Sequence, residues 1–515
     1  MAGLGLAAGA TNASARPKAD PVPAELLASV AMGPATTLRG LQAYAEAIKP
    51  GAGASITDQV VRGGIAELVG ASSLDGFDAT SWTYVLVASG DAAPRFALLG
   101  KVSDATTLAT SAGAAHVLVK GGWAVVGARP LLERIGPYAL ASIATQPAPA
   151  ALNATVYLAH VRARYQAELA AFRNQMLASM ASAAATTSGG MGKLMTAYVD
   201  GLGTVVSDAD QVVVTLDVTE DLASLDVALT PGPGSRLARF VALQRPSDYA
   251  LLGKLPPGSP TMLAAGHFEA GPYRDGVLEA LVTLYGPAAS GDLLAAMNLF
   301  RTSLTGEFGI TMQMAPGAGM ALTQVLGLSN PRAAEQAIVA MLDLFKDGRS
   351  FDMLGISTTI KADPAAAAHD GVTLHGYETT YDLSRLPPAQ RKAMAAAMPR
   401  DHAHAQLATF DGLAMLVMDA DGAIAVGHAI DGARGKAASF VAAPPVDGLL
   451  AASRARKESV AMTMDLGLLM ARVTGRPASG PQPVMMALGF ADRRAHLRFA
   501  MAAATLRAAV NAGKP

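Results

Sequence analysis

Hydrophobic residues alternate with small or polar residues over several short segments, and this alternation predicts β-strands. In the clearest case, every second residue from Tyr84 to Ala88 is apolar or small, a loose turn follows, and residues 96–102 return. A period of two is typical of a strand with one face buried. Asp104 then offers a short side chain that accepts amide protons of a first helical turn. The segment predicts a β-hairpin that leads into a helix.

The same pattern returns later in the chain. The hairpin and helix start at residues 82–104 align without a gap on residues 308–330. A second hairpin, at residues 211–229, aligns without a gap on residues 483–501. A third and shorter match joins a strand pair at residues 118–127 to residues 416–427, where the turn is two residues longer. Three matches in the same order predict an internally duplicated chain.

Hairpins interleaved with helices predict an α+β fold, with antiparallel or mixed sheets built from hairpins and helices packed against them. Between its middle helix and Leu416, the second half gains roughly 70 residues over the first, judged by strand alternation. The expected organisation is a signal-peptide remnant or disordered tail at residues 1–20, a first α+β half at 21–245, a Pro-rich linker at 246–260, and a second α+β half at 261–515 with an insertion at about 350–410.

The first residues bear on location. Residues 1–10 are apolar and small, Ala13-Ser14-Ala15 matches a signal-peptidase pattern, and polar residues follow. This order is typical of the end of a secretory signal that lacks its basic start, although a plain disordered tail is the alternative. The signal interpretation predicts a periplasmic or extracellular protein of a bacterium.

Composition narrows the functional classes. The net charge is −1 without a basic block, which disfavours nucleic acid as a partner because phosphate binding needs concentrated positive charge. The absence of cysteine excludes disulfides, thiol catalysis and Cys-ligated metals. No run of 18 apolar residues occurs, so no transmembrane helix is predicted.

One group of residues in the insertion has the chemistry of a metal site. The insertion holds four of the nine histidines, His369, His375, His402 and His404. Histidine is the commonest metal ligand and a proton carrier near neutral pH. His402 and His404 alternate as in a strand, so both would project from one face, and His375 is a third candidate. Because spacing fixes no third ligand, exposed histidines on a loop and strand are the alternative interpretation.

A second candidate is apolar. Tyr165, Leu169, Phe172, Met176 and Met180 recur at steps of three and four and would share one face of a helix. Methionine-rich surfaces adapt to apolar ligands or partner proteins. Core packing is the other interpretation of such a stripe.

The order of elements also resembles a group of known proteins. Residues 96–104 and 122–132, with their second-half counterparts, follow a pattern of hairpin, capped helix and a strand ending in Val-Gly. In this the chain resembles large exported bacterial proteins of unknown function that are built from duplicated strand-helix-hairpin units. The resemblance implies a periplasmic or cell-envelope setting and brings no active site with it.

Two functions of different classes follow. The first is a non-enzymatic periplasmic or cell-envelope protein that binds a partner protein or an apolar ligand and needs no cofactor. The second is a metal-dependent hydrolase that uses the inserted histidines. The first is favoured, because no nucleophile, base or metal ligand set is fixed by spacing.

Overall fold

The computed structural model describes most of the chain. The described residues are 21–512, apart from residues 92, 148, 150, 186–200, 202, 274–290, 316–318, 354–355, 385, 387, 389–390, 392–400, 420–421 and 475–479.

Nineteen strands lie within the described ranges. They are β1 Leu26–Met32, β2 Thr83–Ala88, β3 Arg95–Lys101, β4 His116–Lys120, β5 Trp123–Gly127, β6 Leu152–Tyr157, β7 Ala209–Val218, β8 Leu222–Pro231, β9 Met262–His267, β10 Leu304–Ala315, β11 Gly319–Leu328, β12 Arg349–Met353, β13 Ile356–His369, β14 Val372–Asp382, β15 His402–Phe410, β16 Leu413–Asp419, β17 Glu458–Asp465, β18 Pro483–Gly489 and β19 Ala495–Ala502.

Residues 203–208 are helical, and the α-helices whose bounds lie within the described ranges are interleaved with the strands. They are α1 Ala35–Ile48, α2 Asp58–Val69, α3 Ala105–Ser111, α4 Arg129–Tyr138, α5 Leu158–Arg164, α6 Gln166–Ala185, α7 Arg236–Leu243, α8 Gly291–Thr302, α9 Pro331–Phe345, α10 Gly422–Ala433, α11 Pro444–Ala455, α12 Leu466–Thr474 and α13 Ala503–Ala512. Mixed helix and strand content confirms the predicted α+β class.

The chain divides into two compact units. The smaller unit comprises the described parts of Met1–Met32 and Arg62–Pro149. Its five strands form an antiparallel sheet in the order β1-β2-β3-β5-β4. Consecutive residues of the central strand β3, from Ala97 to Leu99, are all fully buried, so both faces of this sheet are covered. Leu131, Leu132 and Ile135 place the apolar side of α4 against it.

The larger unit comprises the described parts of Gly33–Val61 and Ala150–Pro515. Its fourteen strands form one antiparallel sheet in the order β12-β13-β14-β15-β16-β11-β10-β9-β17-β18-β19-β8-β7-β6. β14 lies within the region predicted as an insertion at about 350–410. Together with β12 and β13 it extends one end of the sheet.

The two faces of the larger sheet differ in burial. On one face, α10 and α11 cover the sheet, and Ala461, Met485 and Ala500 are almost fully buried in its main core. On the other face, the neighbouring Met462 and Met486 are half-buried and Phe499 is exposed. Successive side chains of a strand alternate between faces, so β17 and β18 show this contrast along their length.

Both predicted helix starts are confirmed. Asp104 accepts hydrogen bonds from the amides of Thr106 and Thr107, at 2.9 and 3.1 Å, and α3 begins at the next residue. Asn330 accepts from the amide of Ala333 at 3.1 Å, with Pro331 as the first residue of α9. A side-chain oxygen at this position satisfies an amide that the helix itself leaves without a partner.

The predicted match between residues 118–127 and 416–427 is wrong. Residues 426–427 lie inside α10, not in a return strand. The buried residues Val426, Ala429, Ile430 and Ala433 recur at steps of three, one and three, which is the spacing of one helical face. The short alternation around Val426 was therefore part of a helical period, and the partner of β16 is β15, which precedes it in the chain.

The two gapless hairpin matches differ in how well their registers agree. Val212 lies opposite Leu229, and Val484 lies opposite Met501, so the second match keeps one register in both copies. In the first match Val85 lies opposite Leu98, whereas its aligned residue Thr311 lies opposite Thr323 and not Gln324. Such a shift by one residue exchanges the faces of a strand.

The Pro-rich segment 246–260 lies inside the larger unit and is packed against its core. Tyr249, Leu252 and Leu255 are nearly or fully buried, and a 3-10 helix spans Ala250–Lys254. Tyr249 has a positive φ of 61°, an uncommon conformation for a bulky residue. Its hydroxyl lies 2.7 Å from that of Ser453, a contact that holds the ring in the core.

Candidate functional site

An apolar pocket lies between the helix pair α8–α9 and strands β13 to β15. Its volume is about 180 Å³. Its lining consists of apolar side chains and one tyrosine, namely Leu293, Met297, Ile338, Met341, Leu342, Phe345, Ile360, Tyr377 and Leu407. We call this the apolar pocket.

The local sequence explains why these side chains converge. Ile338, Met341, Leu342 and Phe345 recur at steps of three, one and three and therefore share one face of α9. α8 packs beside α9, and α9 contacts β13, β14 and β15. The floor of the pocket is the sheet, where Tyr377 lies on the central one of these three strands.

A polar cluster adjoins this pocket. His375 Nε2 lies 2.6 Å from Glu335 Oε1, and the Thr409 hydroxyl donates a hydrogen bond to Glu335 Oε2. The His375 side chain is only 12% exposed, and that of Glu335 is 34% exposed. We call these three residues the Glu335 cluster.

Each member of the Glu335 cluster is adjacent to a residue of the pocket lining on the surface of the same helix or strand. Glu335 is three residues from Ile338 on α9, and residues so spaced are neighbours on a helix surface. His375 and Tyr377 are two residues apart on β14, and Thr409 and Leu407 are two apart on β15. Because residues i and i+2 share a face of a strand, the cluster lies beside the pocket on the same face of the sheet, although its three residues are not part of the pocket lining.

The three predicted metal-ligand candidates do not converge. His402 and His404 share a face of β15, and their rings lie 5.5 Å apart between centroids. His375 lies opposite Leu407, whereas Glu378 lies opposite His404, so His375 projects from the other face of the sheet. Within the described ranges, no group of three His, Asp or Glu side chains could hold a metal ion.

The other contacts of the inserted histidines are separate from one another. His402 is bonded to the neighbouring Asp401, with Nδ1 and Oδ1 2.9 Å apart, and His404 is exposed. His369, the fourth histidine of the insertion, lies 3.0 Å from Asp431 of α10. The structure therefore distributes the inserted histidines among separate contacts on both faces of the sheet.

The predicted apolar stripe lies on and beside α6. The Leu169 and Phe172 side chains are exposed, Phe172 at 64%, so these two are not core residues. Met176 and Tyr165 are half-buried, with Tyr165 between α5 and α6. The side chain of Met180 lies outside the described residues. The stripe forms no part of the apolar pocket.

A second, larger pocket of about 440 Å³ lies on the opposite face of the sheet. Buried Thr311 and Thr323 contribute to its wall together with Gln313 and His428, and the lining residues contain no Asp, Glu, Lys or Arg. Among the described residues, no hydrogen bond joins His428 to either threonine.

Sequence reasoning missed this second pocket, although a signal existed. In the gapless alignment of the first hairpins, Thr311 and Gln313 stand where the first copy has Val85 and Val87. Polar residues at positions that are apolar in the matched strand indicate a local change of environment. Thr311 and Gln313 could have been identified by comparing the two copies position by position.

Two further groups were missed because only the fold brings them together. Arg498 and Glu458 form a buried bidentate ion pair, at 2.7 and 2.9 Å, and Ser453 donates to the same carboxylate. His267 is fully buried, and neither ring nitrogen has a hydrogen-bond partner, although Glu269 approaches to 3.3 Å. Burial, followed by the charge of Arg245, lowers the pKa of His267 below its ordinary value.

Comparison with known proteins adds no assignment. The sequence matches no protein-family model, and neither a similar curated protein nor a similar solved structure was found. No helix in the described part of the chain is long and apolar enough to cross a membrane.

Proposed function

We propose that the protein is a non-enzymatic binding protein that takes up a small apolar ligand in the apolar pocket. The observation that carries this proposal is the pocket itself, about 180 Å³ lined by eight apolar side chains and one tyrosine. A cavity of about 150 Å³ with Leu, Ile and Phe walls stays dry and binds benzene in another protein. Ligand pockets are largely apolar with a small number of polar groups that fix orientation.

The position of the pocket within the sheet supports the same function. Leu407 lies in the floor of the pocket. From it, residues that lie opposite one another on neighbouring strands form a row across one face of the sheet, and this row reaches Met462, Met486 and Phe499. These three apolar residues are half-buried or exposed. A surface of this kind on the pocket's own face suits an apolar ligand or a partner protein.

The contacts of the polar groups favour binding over hydrolysis. Thr409 donates to the carboxylate of Glu335 and not to an imidazole, so the Glu335 cluster lacks the hydroxyl–base contact of a serine-type triad. The candidates His375 and His404 lie on opposite faces of the sheet, so the three candidate ligands of the hydrolase alternative do not share one face.

We also propose that the chain arose by internal duplication. The order β4-β5-β3-β2-β1 in the smaller unit corresponds to β15-β16-β11-β10-β9 in the larger one. The β7–β8 and β18–β19 hairpins keep one register. They pair with each other through β8 and β19, the equivalent strands of each copy, as two identical subunits pair across a twofold axis.

We further propose a periplasmic or cell-envelope location for the protein. The proposal is supported by the signal-like order of residues 1–15 and by the absence of cysteine. The test is fractionation of the native host followed by mass spectrometry of the N-terminus. Cleavage near Ala15 in the periplasmic fraction is the expected result, and an intact N-terminus on cytosolic protein contradicts it.

Ligand binding is tested with benzene as the probe on the full chain. Benzene should raise the melting temperature in a concentration-dependent manner, because it binds the folded state alone. Leu407→Phe, which fills the pocket, should abolish the shift. Leu488→Phe makes the same change on a half-buried strand residue outside the pocket and should keep it. Absence of a benzene shift in the wild type, or equal shifts in both variants, contradicts the proposal.

A further inference from the structure

We infer that the ligand of the apolar pocket carries a hydrogen-bond-donating head group on a short apolar chain, as a primary alcohol does. The inference rests on the proposed function and concerns the Glu335 cluster, which lies beside the pocket lining. Nine lining residues define an apolar volume close to the size of a six-carbon molecule, about that of benzene. The lining itself holds one polar group, the Tyr377 hydroxyl, and the cluster adjoins the lining residues Ile338, Tyr377 and Leu407.

The chemistry of the cluster selects a donor. Glu335 already accepts from Thr409 at Oε2 and is paired with His375 Nε2 at Oε1, 2.6 Å away. A carboxylate has about four lone-pair sites, so each oxygen keeps one for a further donor. The Glu335 side chain is 34% exposed, so its carboxylate is not sealed off from small molecules. A hydroxyl would donate to this carboxylate through a charge-assisted bond, the stronger class of hydrogen bond.

The same carboxylate disfavours an anionic head. A ligand carboxylate in the pocket would approach Glu335 in a partly desolvated setting, where like charges repel strongly. The His375 nitrogen that could offset this repulsion is already committed to Glu335. Fatty-acid-like anions are therefore predicted to be poor ligands, although their chains would fit as well as those of alcohols.

The test compares three probes on the full-length protein by calorimetric titration: 1-hexanol, hexanoate and benzene. Hexanol should bind at least tenfold more tightly than hexanoate and also more tightly than benzene. Glu335→Gln keeps the size of the side chain, removes its charge and replaces one acceptor oxygen with an NH2 donor. In this variant hexanoate should bind within threefold of hexanol. Glu378→Gln removes the same charge from the opposite face of β14 and should preserve the wild-type preference.

The outcomes separate this inference from the proposed function. If benzene binds but hexanoate equals or exceeds hexanol, the pocket is confirmed and the donor-head inference is wrong. If the wild-type preference persists in Glu335→Gln, the cluster does not select the head group and the inference is again wrong. If none of the three probes binds, both the proposed function and the inference fail.

Discussion

At the scale of single residues, the buried ion pair Arg498–Glu458 has the largest predicted effect on stability. Its side chains are 5% and 7% exposed, and two hydrogen bonds join them. Removal of one partner leaves an uncompensated buried charge, which costs about 3–5 kcal/mol. Glu458→Gln should therefore lower the free energy of unfolding by about that amount in urea denaturation.

A matched control lies on the surface of the same unit. Lys436 is 54% exposed and pairs with Asp370. Exposed ion pairs contribute about 0–1 kcal/mol, so Lys436→Gln should change the free energy of unfolding by less than about 1 kcal/mol. Equal losses in both variants would show that the Arg498–Glu458 pair is not buried in solution.

The buried His267 should make the stability of the protein depend on pH. Burial, and then the charge of Arg245, lowers its pKa in the folded state, so the unfolded chain takes up a proton at a higher pH than the folded chain does. The contribution of neutral His267 to the free energy of unfolding is therefore fully present above the unfolded pKa of about 6.5. This contribution is lost as the pH falls below that value, by at most about 1.4 kcal/mol per pH unit.

The measurement is the melting temperature between pH 7.5 and pH 5. His267→Gln should flatten the slope of the curve below pH 6.5, because the titrating group is gone. His404→Gln, which removes an exposed histidine, should leave the slope as in the wild type. An identical slope in His267→Gln and the wild type would assign the acid sensitivity to other groups.

At the scale of elements, we expect the exposed face of α6 to tolerate the substitution of an apolar residue by a charged one. Phe172 is 64% exposed, so Phe172→Asp removes little buried area and should change the free energy of unfolding by about 0.5 kcal/mol or less. Leu237 of α7 is 2% exposed, and Leu237→Asp buries a charge without a partner. Thermal denaturation should show a large loss for Leu237→Asp alone, and a comparable loss for Phe172→Asp would place the stripe in a core.

The sequence predicted those elements whose cause is local. The alternation in β2 and the caps at Asp104 and Asn330 act within a few residues, and all three were found where expected. α10 was misread because an alternating stretch and one turn of a buried helix look alike over a few residues. The pocket escaped detection because Leu293, Ile338 and Tyr377 are distant in sequence, and only the strand order brings their elements together.

At the scale of the whole molecule, the junction of the two matched hairpins is a test of the proposed duplication. β8 and β19 pair antiparallel, with Leu225 opposite Phe499 and Val227 opposite Leu497. In the gapless alignment, Leu225 corresponds to Leu497 and Val227 to Phe499. Exchange of the two copies therefore turns each opposed pair into the other, which is the relation that a local twofold axis imposes.

The chain has no cysteine, so engineered pairs can report this register without background thiols. Opposed residues of antiparallel strands have Cα atoms about 4.5–5.5 Å apart, within the range of a disulfide. Leu225→Cys with Phe499→Cys, and Val227→Cys with Leu497→Cys, should each form a disulfide on mild oxidation, detected as a mass loss of about two hydrogens. Leu225→Cys with Ala500→Cys should stay reduced, because neighbouring strand residues project from opposite faces. Cross-linking of this control pair would show a register shifted by one residue, and the symmetric relation between the two hairpins would then be lost.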